Sequence, residues 1–196
     1  TAADYEKIAR IIETYRSKVD LTVRIPLDEY EKRYERVHEK LREREIDVAF
    51  FFWYREYPGD GVYLTGYNPN IERASGIIAP GKRPALIVGP ESGLLAAEIG
   101  LNLETHFVEE FSIPDEYYEG LPPKSFIPII SEYAGKEIKR VGFLSPLDYV
   151  PVKFYDVFQS KIGEGIEIVD ASDILSDLRY EKSEAEFACM KQANTI

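Results

Sequence analysis

The stretch "DVAFFFWY" at residues 47–54 is a short run of apolar and aromatic side chains. It is too short and too rich in aromatic residues for a helix, so it predicts a buried β-strand. Residues 28–46, just before it, place apolar side chains on one helical stripe and charged side chains on the other faces. This pattern predicts an amphipathic helix, and a similar apolar spacing predicts another helix over residues 3–18.

Turn residues divide the chain downstream of this strand. "GVYLTGY" at 61–67 follows Pro58 and Gly59 and is predicted as a second strand. "ASGIIAP" at 74–80 and "RPALIVG" at 83–89 predict an antiparallel hairpin joined by the turn "PGKR".

The remaining segments alternate between helix and strand. The predicted helices are residues 91–102, 124–135, 146–163 and 173–182, and the predicted strands are 105–111, 140–145 and 166–172, with a loop over 112–125. This order predicts an α/β fold, a mixed sheet of about six strands with helices on both faces.

The charge balance restricts the classes of partner. The 196 residues include 24 Lys and Arg against 35 Asp and Glu, a net charge of −11. This balance argues against nucleic acid and membrane surfaces as partners, because phosphates and anionic lipids would be repelled. A single cysteine and a charged N-terminal segment favour the reducing cytoplasm.

Isolated candidates for chemistry have simpler structural interpretations. His38, on the charged side of its helix, and His106 lack a ligand-spaced partner, and Ser92 lacks the glycine that the G-x-S-x-G turn requires. Cys189 has no histidine nearby in sequence.

Three acids stand at three- and four-residue steps: Asp170, Asp173 and Asp177. On a helix they would share one face, which allows either a cation site or an acidic helix start that complements the helix dipole. The acidic helix start is the preferred interpretation.

Two motifs lie more than a hundred residues apart, "VYLTGY" at 62–67 and "LRYEKSEAEFACMKQA" at 178–193. Together they resemble the creatinase, prolidase and aminopeptidase P family of pita-bread hydrolases. The first is similar to the family's Y-L-T-G-[FY] segment, and the second to the L-R-x-x-K-S-x-x-E segment that leads into its catalytic domain. Phe187 departs mildly, because an aliphatic residue is usual there. The resemblance implies the family's N-terminal fold, with a ribonuclease H-like motif.

The second motif contains a helix start. Ser183 and Glu186 have the spacing of a capping box, in which each side chain accepts from the backbone N–H of the other residue. With the resemblance, this implies an N-terminal domain over residues 1–178. Residues 179–196 would then be an interdomain linker and the truncated first helix of a C-terminal catalytic domain.

The resemblance implies that the complete polypeptide is a hydrolase of small peptides or amidino compounds, either an Xaa-Pro peptidase or a creatinase-like enzyme. The fragment alone is expected to be inactive, with no catalytic residue, metal ligand or cofactor. Two divalent metal ions (Mn, Co or Zn) are expected in the catalytic domain of a peptidase. The implied partners are the chain's own catalytic domain and a second copy in a homodimer.

The loop over residues 66–76 matches the family's segment that borders the partner's active site. Tyr67, Asn70 and Arg73 are the candidates for substrate contact, and Arg73 has the forked donor geometry that holds a carboxylate. A solvated loop arginine is the simpler interpretation. Four nearby residues would form an aromatic wall, an interface or part of the core: Trp53, Tyr54, Tyr57 and Pro58.

Two other functions stay open. The chain could be a stand-alone module that binds a small molecule or a protein without hydrolysing it. It could also be an independent enzyme that holds a metal ion on the face formed by Asp170, Asp173 and Asp177.

Overall fold

The structure is a computed structural model and describes residues 1–16, 20, 22–69, 72–99, 101–108, 111, 126–162 and 165–194. The chain divides into two compact units. One comprises Tyr30–Tyr180, and the other comprises Thr1–Glu29 with Glu181–Ile196. The predicted loop over 112–125 lies outside the described residues.

Helices and strands alternate through most of the chain. The α-helices are α1 Ala2–Arg16, α2 Leu27–Glu43, α3 Gly59–Thr65, α4 Gly93–Ile99, α5 Phe126–Ala134, α6 Val152–Lys161, α7 Ser172–Tyr180 and α8 Glu184–Ala193. The strands are β1 Val48–Trp53, β2 Ala74–Ile78, β3 Ala85–Val88, β4 Thr105–Phe107, β5 Arg140–Phe143 and β6 Glu167–Asp170. No helix within the described ranges combines the length and apolar composition needed to cross a bilayer.

The strands form one mixed sheet in the order β4-β3-β2-β1-β5-β6. β2 pairs antiparallel with both β1 and β3, whereas β1 with β5, β5 with β6 and β3 with β4 pair in parallel. Of these six described strands, β2 alone runs against the others. The sheet confirms the predicted α/β fold and the predicted hairpin.

The run that begins at residue 48 fills both faces of the sheet. Successive side chains of a strand point to opposite faces. Val48, Phe50 and Phe52 join a core cluster with residues of α5 and α6. Trp53 is fully buried and stacks on Phe51, with ring centroids 5.4 Å apart. Every residue of β1 is buried, which explains an apolar run without polar alternation.

The prediction of a strand over residues 61–67 is wrong, because this segment forms α3. Pro58 stands at its N-terminus, and Gly66 ends it with a left-handed φ of 67°. The Gly66 amide donates to the Val62 carbonyl at 2.9 Å, and Thr65 Oγ1 donates to the Gly61 carbonyl at 2.7 Å. Buried apolar side chains have the same composition in a strand and in a short helix, whereas the flanking proline and glycine are typical of helix ends.

The predicted helix over 146–163 is also interrupted. Leu147–Tyr149 forms a 3-10 turn, and α6 begins only after Pro151. Proline cannot donate a backbone hydrogen bond within a helix and disfavours helical backbone at the residue before it, so Pro151 separates the two segments.

The smaller unit contains α1 and α8. The capping box is confirmed: the Glu186 amide donates to Ser183 Oγ at 3.1 Å, and the Ser183 amide donates to Glu186 Oε2 at 2.9 Å. Ser183 Oγ also donates to the Glu29 carboxylate at 2.9 Å. The start of α8 is therefore specified locally by its own side chains.

Candidate functional site

A cleft of about 590 Å³ opens at the carboxyl ends of β1 and β5. Residues 54–56 follow β1, residues 148–151 lie in the connection that follows β5, and residues 72 and 73 precede β2. The chain leaves β1 on one side toward β2 and returns on the other side as β5. Ligands of open α/β sheets bind at such a switch point, so this cleft is the candidate functional site.

Charges of both signs and aromatic rings line the cleft. Arg55 and Arg73 are exposed, and Glu56 and Asp148 carry the opposite charge. Tyr149 stacks on Tyr57, with ring centroids 3.8 Å apart and an angle of 10° between the planes. The cleft therefore presents hydrogen-bond donors and acceptors beside aromatic rings.

A buried carboxylate shapes the loop that carries Arg73. Glu72 is 4% exposed, and its Oε2 accepts from the Ser92 amide at 2.9 Å. A Cβ atom at Gly89 would lie 2.5 Å from Glu72 Oε1, so glycine is needed for this approach. Glu72 thus holds the start of β2 against the turn that follows β3.

The predicted substrate residues have different environments. Arg73 is exposed and lines the cleft. Tyr67 is fully buried, its carbonyl accepts from Trp53 Nε1 at 3.1 Å, and burial raises the pKa of its hydroxyl. Asn70 lies outside the described residues. The structure brings Arg73 to the cleft and places Tyr67 in the interior, and their roles in substrate binding stay predictions.

The predicted aromatic wall is divided between the cleft and the core. Tyr54 lines the cleft, and Tyr57 supports the cleft residue Tyr149. Trp53 belongs to the core. Burial, followed by the charge of Asp60, raises the pKa of Tyr57.

The two sequence motifs meet in space. Arg179 Nη1 of the second motif donates to Asp60 Oδ1 in α3 at 2.6 Å. Tyr63 Oη of the first motif donates to the Leu178 carbonyl at 3.2 Å. Two segments more than a hundred residues apart in sequence are therefore in direct contact.

Asp60 and Arg33 are buried charged residues that the sequence did not point to. Asp60 is 2% exposed, and burial raises its pKa although Arg179 opposes the shift. Arg33 donates to the Tyr63 carbonyl at 2.7 Å and lies over the Tyr63 ring at 4.2 Å. An aspartate just after Pro58 signals a helix start, but its distant partner has no local signal in the sequence.

The creatinase/prolidase N-terminal domain family matches residues 33–180, which is most of the chain. This chain belongs to that family. No curated protein sequence matches the chain.

Solved structures share the fold of this creatinase/prolidase N-terminal domain. The N-terminal domain of the cytoplasmic peptidase PepQ from Mycobacterium tuberculosis H37Rv is 16% identical, with a TM-score of 0.56 over 76% of this chain and 98% of that one. The Xaa-Pro dipeptidase from Bacillus anthracis is 16% identical, with a TM-score of 0.58 over 83% of this chain and 39% of that one. The prolidase from Pyrococcus horikoshii OT3 is 18% identical, with a TM-score of 0.56 over 83% of this chain and 39% of that one. At these identities the likeness shows the fold.

Both histidines of this creatinase/prolidase N-terminal domain are buried. His38 Nε2 donates to the Lys82 carbonyl at 2.8 Å, so its predicted place on the charged side of its helix is wrong. His106 is 9% exposed, and its Nε2 lies 3.3 Å from Glu104 Oε1. Both have structural contacts, as predicted.

The acids near α7 bind protein groups. Asp173 forms a bidentate ion pair with Arg44, in which Arg44 Nη1 donates to Asp173 Oδ1 at 2.8 Å. Asp170 Oδ1 accepts from the Ser172 amide at 2.9 Å. Among the described residues, no three His, Cys, Asp or Glu side chains cluster as a metal site would require. Asp170 is the last residue of β6, so the predicted common helical face of the three acids is wrong. The predicted acidic helix start is confirmed for Asp173, which lies in the first turn of α7.

Proposed function

We propose that this chain is the non-catalytic N-terminal domain of an Xaa-Pro peptidase or creatinase-type hydrolase. Its roles would be to form homodimer contacts and to border the active site of the partner subunit. The observation that carries this proposal is the exposed Arg73 in a cleft at the carboxyl edge of the sheet. Family membership and the fold of the peptidase neighbours support it.

The chemistry would belong to a catalytic domain that follows α8 in the complete polypeptide. In a peptidase of this family, two divalent metal ions (Mn, Co or Zn) would supply a nucleophilic hydroxide there. The domain described above would contribute binding, because Arg73 can hold a substrate carboxylate through two parallel hydrogen bonds. The single cysteine fits a cytoplasmic location.

Mixed dimers of the full-length protein test the proposal. One subunit carries Arg73→Ala, and the other carries an intact Arg73 with an inactivated catalytic domain. If Arg73 serves the partner's site, each mixed dimer has one intact site with the wild-type KM for the dipeptide Ala-Pro. In dimers of Arg73→Ala alone, KM should rise about ten- to a hundredfold, because a charge-assisted hydrogen-bond pair is worth about 1.5–3 kcal/mol.

Arg42→Ala is the matched control, because Arg42 is an exposed arginine of α2 that does not line the cleft. Its KM should equal that of the wild type. A raised KM in the mixed dimers would show that Arg73 acts within its own subunit. If the full-length protein hydrolysed neither Ala-Pro nor creatine, the hydrolase assignment would fail.

A further inference from the structure

Arg179 lies in the last turn of α7 and reaches the segment that enters α3. Its Nη1 donates to Asp60 Oδ1 at 2.6 Å. A Cβ atom at Gly59 would lie 2.0 Å from its Nη2, so the guanidinium lies against the Gly59 backbone. Burial and the charge of Asp60 raise the pKa of the Tyr57 hydroxyl, and the charge of Arg179 and its hydrogen bond to that hydroxyl oppose the shift. One side chain therefore contacts residues 57, 59 and 60.

The same segment supports one wall of the cleft. The Tyr57 ring stacks on Tyr149, which lines the cleft, with a distance of 3.8 Å between the ring centroids. Tyr57 and Tyr54 also exchange two backbone hydrogen bonds, and the turn that these bonds close presents Arg55 and Glu56 to the cleft. The placement of Tyr57 therefore sets the position of an aromatic ring and of two charges.

The ion pair of Asp60 and Arg179 is costly to bury. Burial raises the pKa of the Asp60 carboxyl, although a hydrogen bond from Ser145 and the charge of Arg179 oppose the shift. The carboxylate therefore loses more on leaving water than its partners return to it. Apolar residues of similar volume often stabilise a fold as well as such a pair does. They cannot fix the direction of a guanidinium, which a short charge-assisted hydrogen bond does.

We propose that Arg179 is a positioning residue for the cleft. It holds residues 57–60 in place, so that the Tyr57 ring supports Tyr149 and the preceding turn keeps its charges in the cleft. Asp60 anchors the guanidinium from which this contact is made. Arg179 is not among the residues that line the cleft, so it acts through the segment that it holds. All of these contacts lie within the Tyr30–Tyr180 unit.

Two substitutions that preserve the net charge disturb this contact from its two sides. A guanidinium carries five donors in a planar fork and can contact a carboxylate and a hydroxyl together, whereas an ammonium is a compact point charge. Arg179→Lys should therefore keep a cation beside Asp60 and release Tyr57. In Gly59→Ala the added methyl displaces the guanidinium, which is the end of a flexible and partly exposed side chain. Both variants should therefore fold.

The NMR shift of the Tyr149 ring protons in the 196-residue chain reports the stack directly. Protons over the face of an aromatic ring are shielded, so stacking moves them upfield, and Tyr57→Ala supplies the unstacked reference. In Arg179→Lys and in Gly59→Ala the Tyr149 protons should move most of the way to that reference. The combined variant should move them no further, because both changes act on the same guanidinium.

Arg44→Lys is the matched control. Arg44 forms a bidentate ion pair with Asp173 at the start of α7, the helix that carries Arg179, and neither member of this pair lines the cleft. The control should leave the Tyr149 ring protons at their wild-type shift. A wild-type shift in Arg179→Lys or in Gly59→Ala would overturn the proposal. An equal displacement in Arg44→Lys would also overturn it, because any loosening of α7 would then disturb the wall.

Kinetics of the full-length protein add a readout that rests on the proposed function. Arg179→Lys should raise KM for Ala-Pro about three- to tenfold, the cost of about one displaced hydrogen bond, and leave kcat unchanged. A purely structural role would instead reduce the amount of folded enzyme and hence the apparent kcat. A displaced Tyr149 ring with an unchanged KM would contradict substrate binding in the cleft and leave the positioning by Arg179 intact. A raised KM with a wild-type ring shift would overturn the positioning.

Discussion

At the scale of single residues, the pair of Asp60 and Arg179 is unequal. Asp60 is almost completely buried, whereas about a third of the Arg179 side chain reaches solvent. Arg179→Ala should lower the free energy of unfolding by about 3 kcal/mol, because it leaves a buried carboxylate without its positively charged partner. Asp60→Asn should cost only about 1 kcal/mol, because the arginine can turn to water. Urea unfolding of the two variants measures the difference.

The pH dependence of the Arg179→Ala variant checks the cause. Burial raises the pKa of Asp60 in the folded state, so its contribution to stability is present below its unfolded pKa and is lost as pH rises through its folded pKa. Removing Arg179 should raise the pKa of Asp60 in the folded state further, because the positive charge that opposes the shift is lost. The variant should therefore recover stability as pH falls from 7 toward 4, whereas the double variant with Asp60→Asn should not. Equal pH profiles would show that lost packing, not the carboxylate, causes the destabilisation.

At the scale of elements, a glycine allows helix α3 to pack closely against Trp53 of the sheet. Gly61→Ala would normally stabilise a helix by about 1 kcal/mol. Here the added Cβ would lie 1.9 Å from the fully buried Trp53 ring, so we expect a net loss of about 3 kcal/mol in the free energy of unfolding. Val62→Ala, at a partly exposed position of the same helix, is the control and should change stability by less than about 1 kcal/mol. A stabilised Gly61→Ala variant would show that α3 does not pack closely on Trp53.

The elements that could be predicted from the sequence are those with local signals. The strand β1 follows from its apolar run, the hairpin of β2 and β3 from its turn, and α8 from its capping box. Helix α3 could not be predicted from its apolar residues, because a buried strand has the same composition; its signals in the sequence are the flanking Pro58 and Gly66. Arg73 could be placed in a candidate loop, but the buried environment of Tyr67 follows from contacts between distant parts of the chain.

At the scale of the whole molecule, the contact between β1 and β5 joins the two parts of the sheet. The strands β2 to β4 lie on one side of β1, and β5 and β6 lie on the other. Asp47 fastens this junction: its Oδ2 accepts from the Lys139 amide at 2.8 Å and the Arg140 amide at 3.0 Å, and its Oδ1 accepts from Lys136 Nζ at 2.5 Å. Since the carboxylate precedes β1 and the amides lie at the start of β5, its loss should weaken the cooperative unfolding of the Tyr30–Tyr180 unit.

The pH dependence of unfolding tests this role of Asp47. Partial burial opposes its ionisation, but the hydrogen bonds from Lys136, Lys139 and Arg140 outweigh burial and lower its pKa below 3.8. Its contribution is therefore present above the unfolded pKa and is lost as pH falls through the folded pKa. Asp47→Asn should cost about 1–2 kcal/mol at pH 7. Urea unfolding should show this gap narrowing as pH falls below the unfolded pKa of about 3.9 and closing only below the lowered folded pKa, where the wild-type carboxyl is also neutral in the folded state. Asp156→Asn, at an exposed aspartate of α6, should show no such gap. A gap for Asp47→Asn that stays constant down to pH 2.5 would mean that the charge of Asp47 does not hold the two sides of the sheet together.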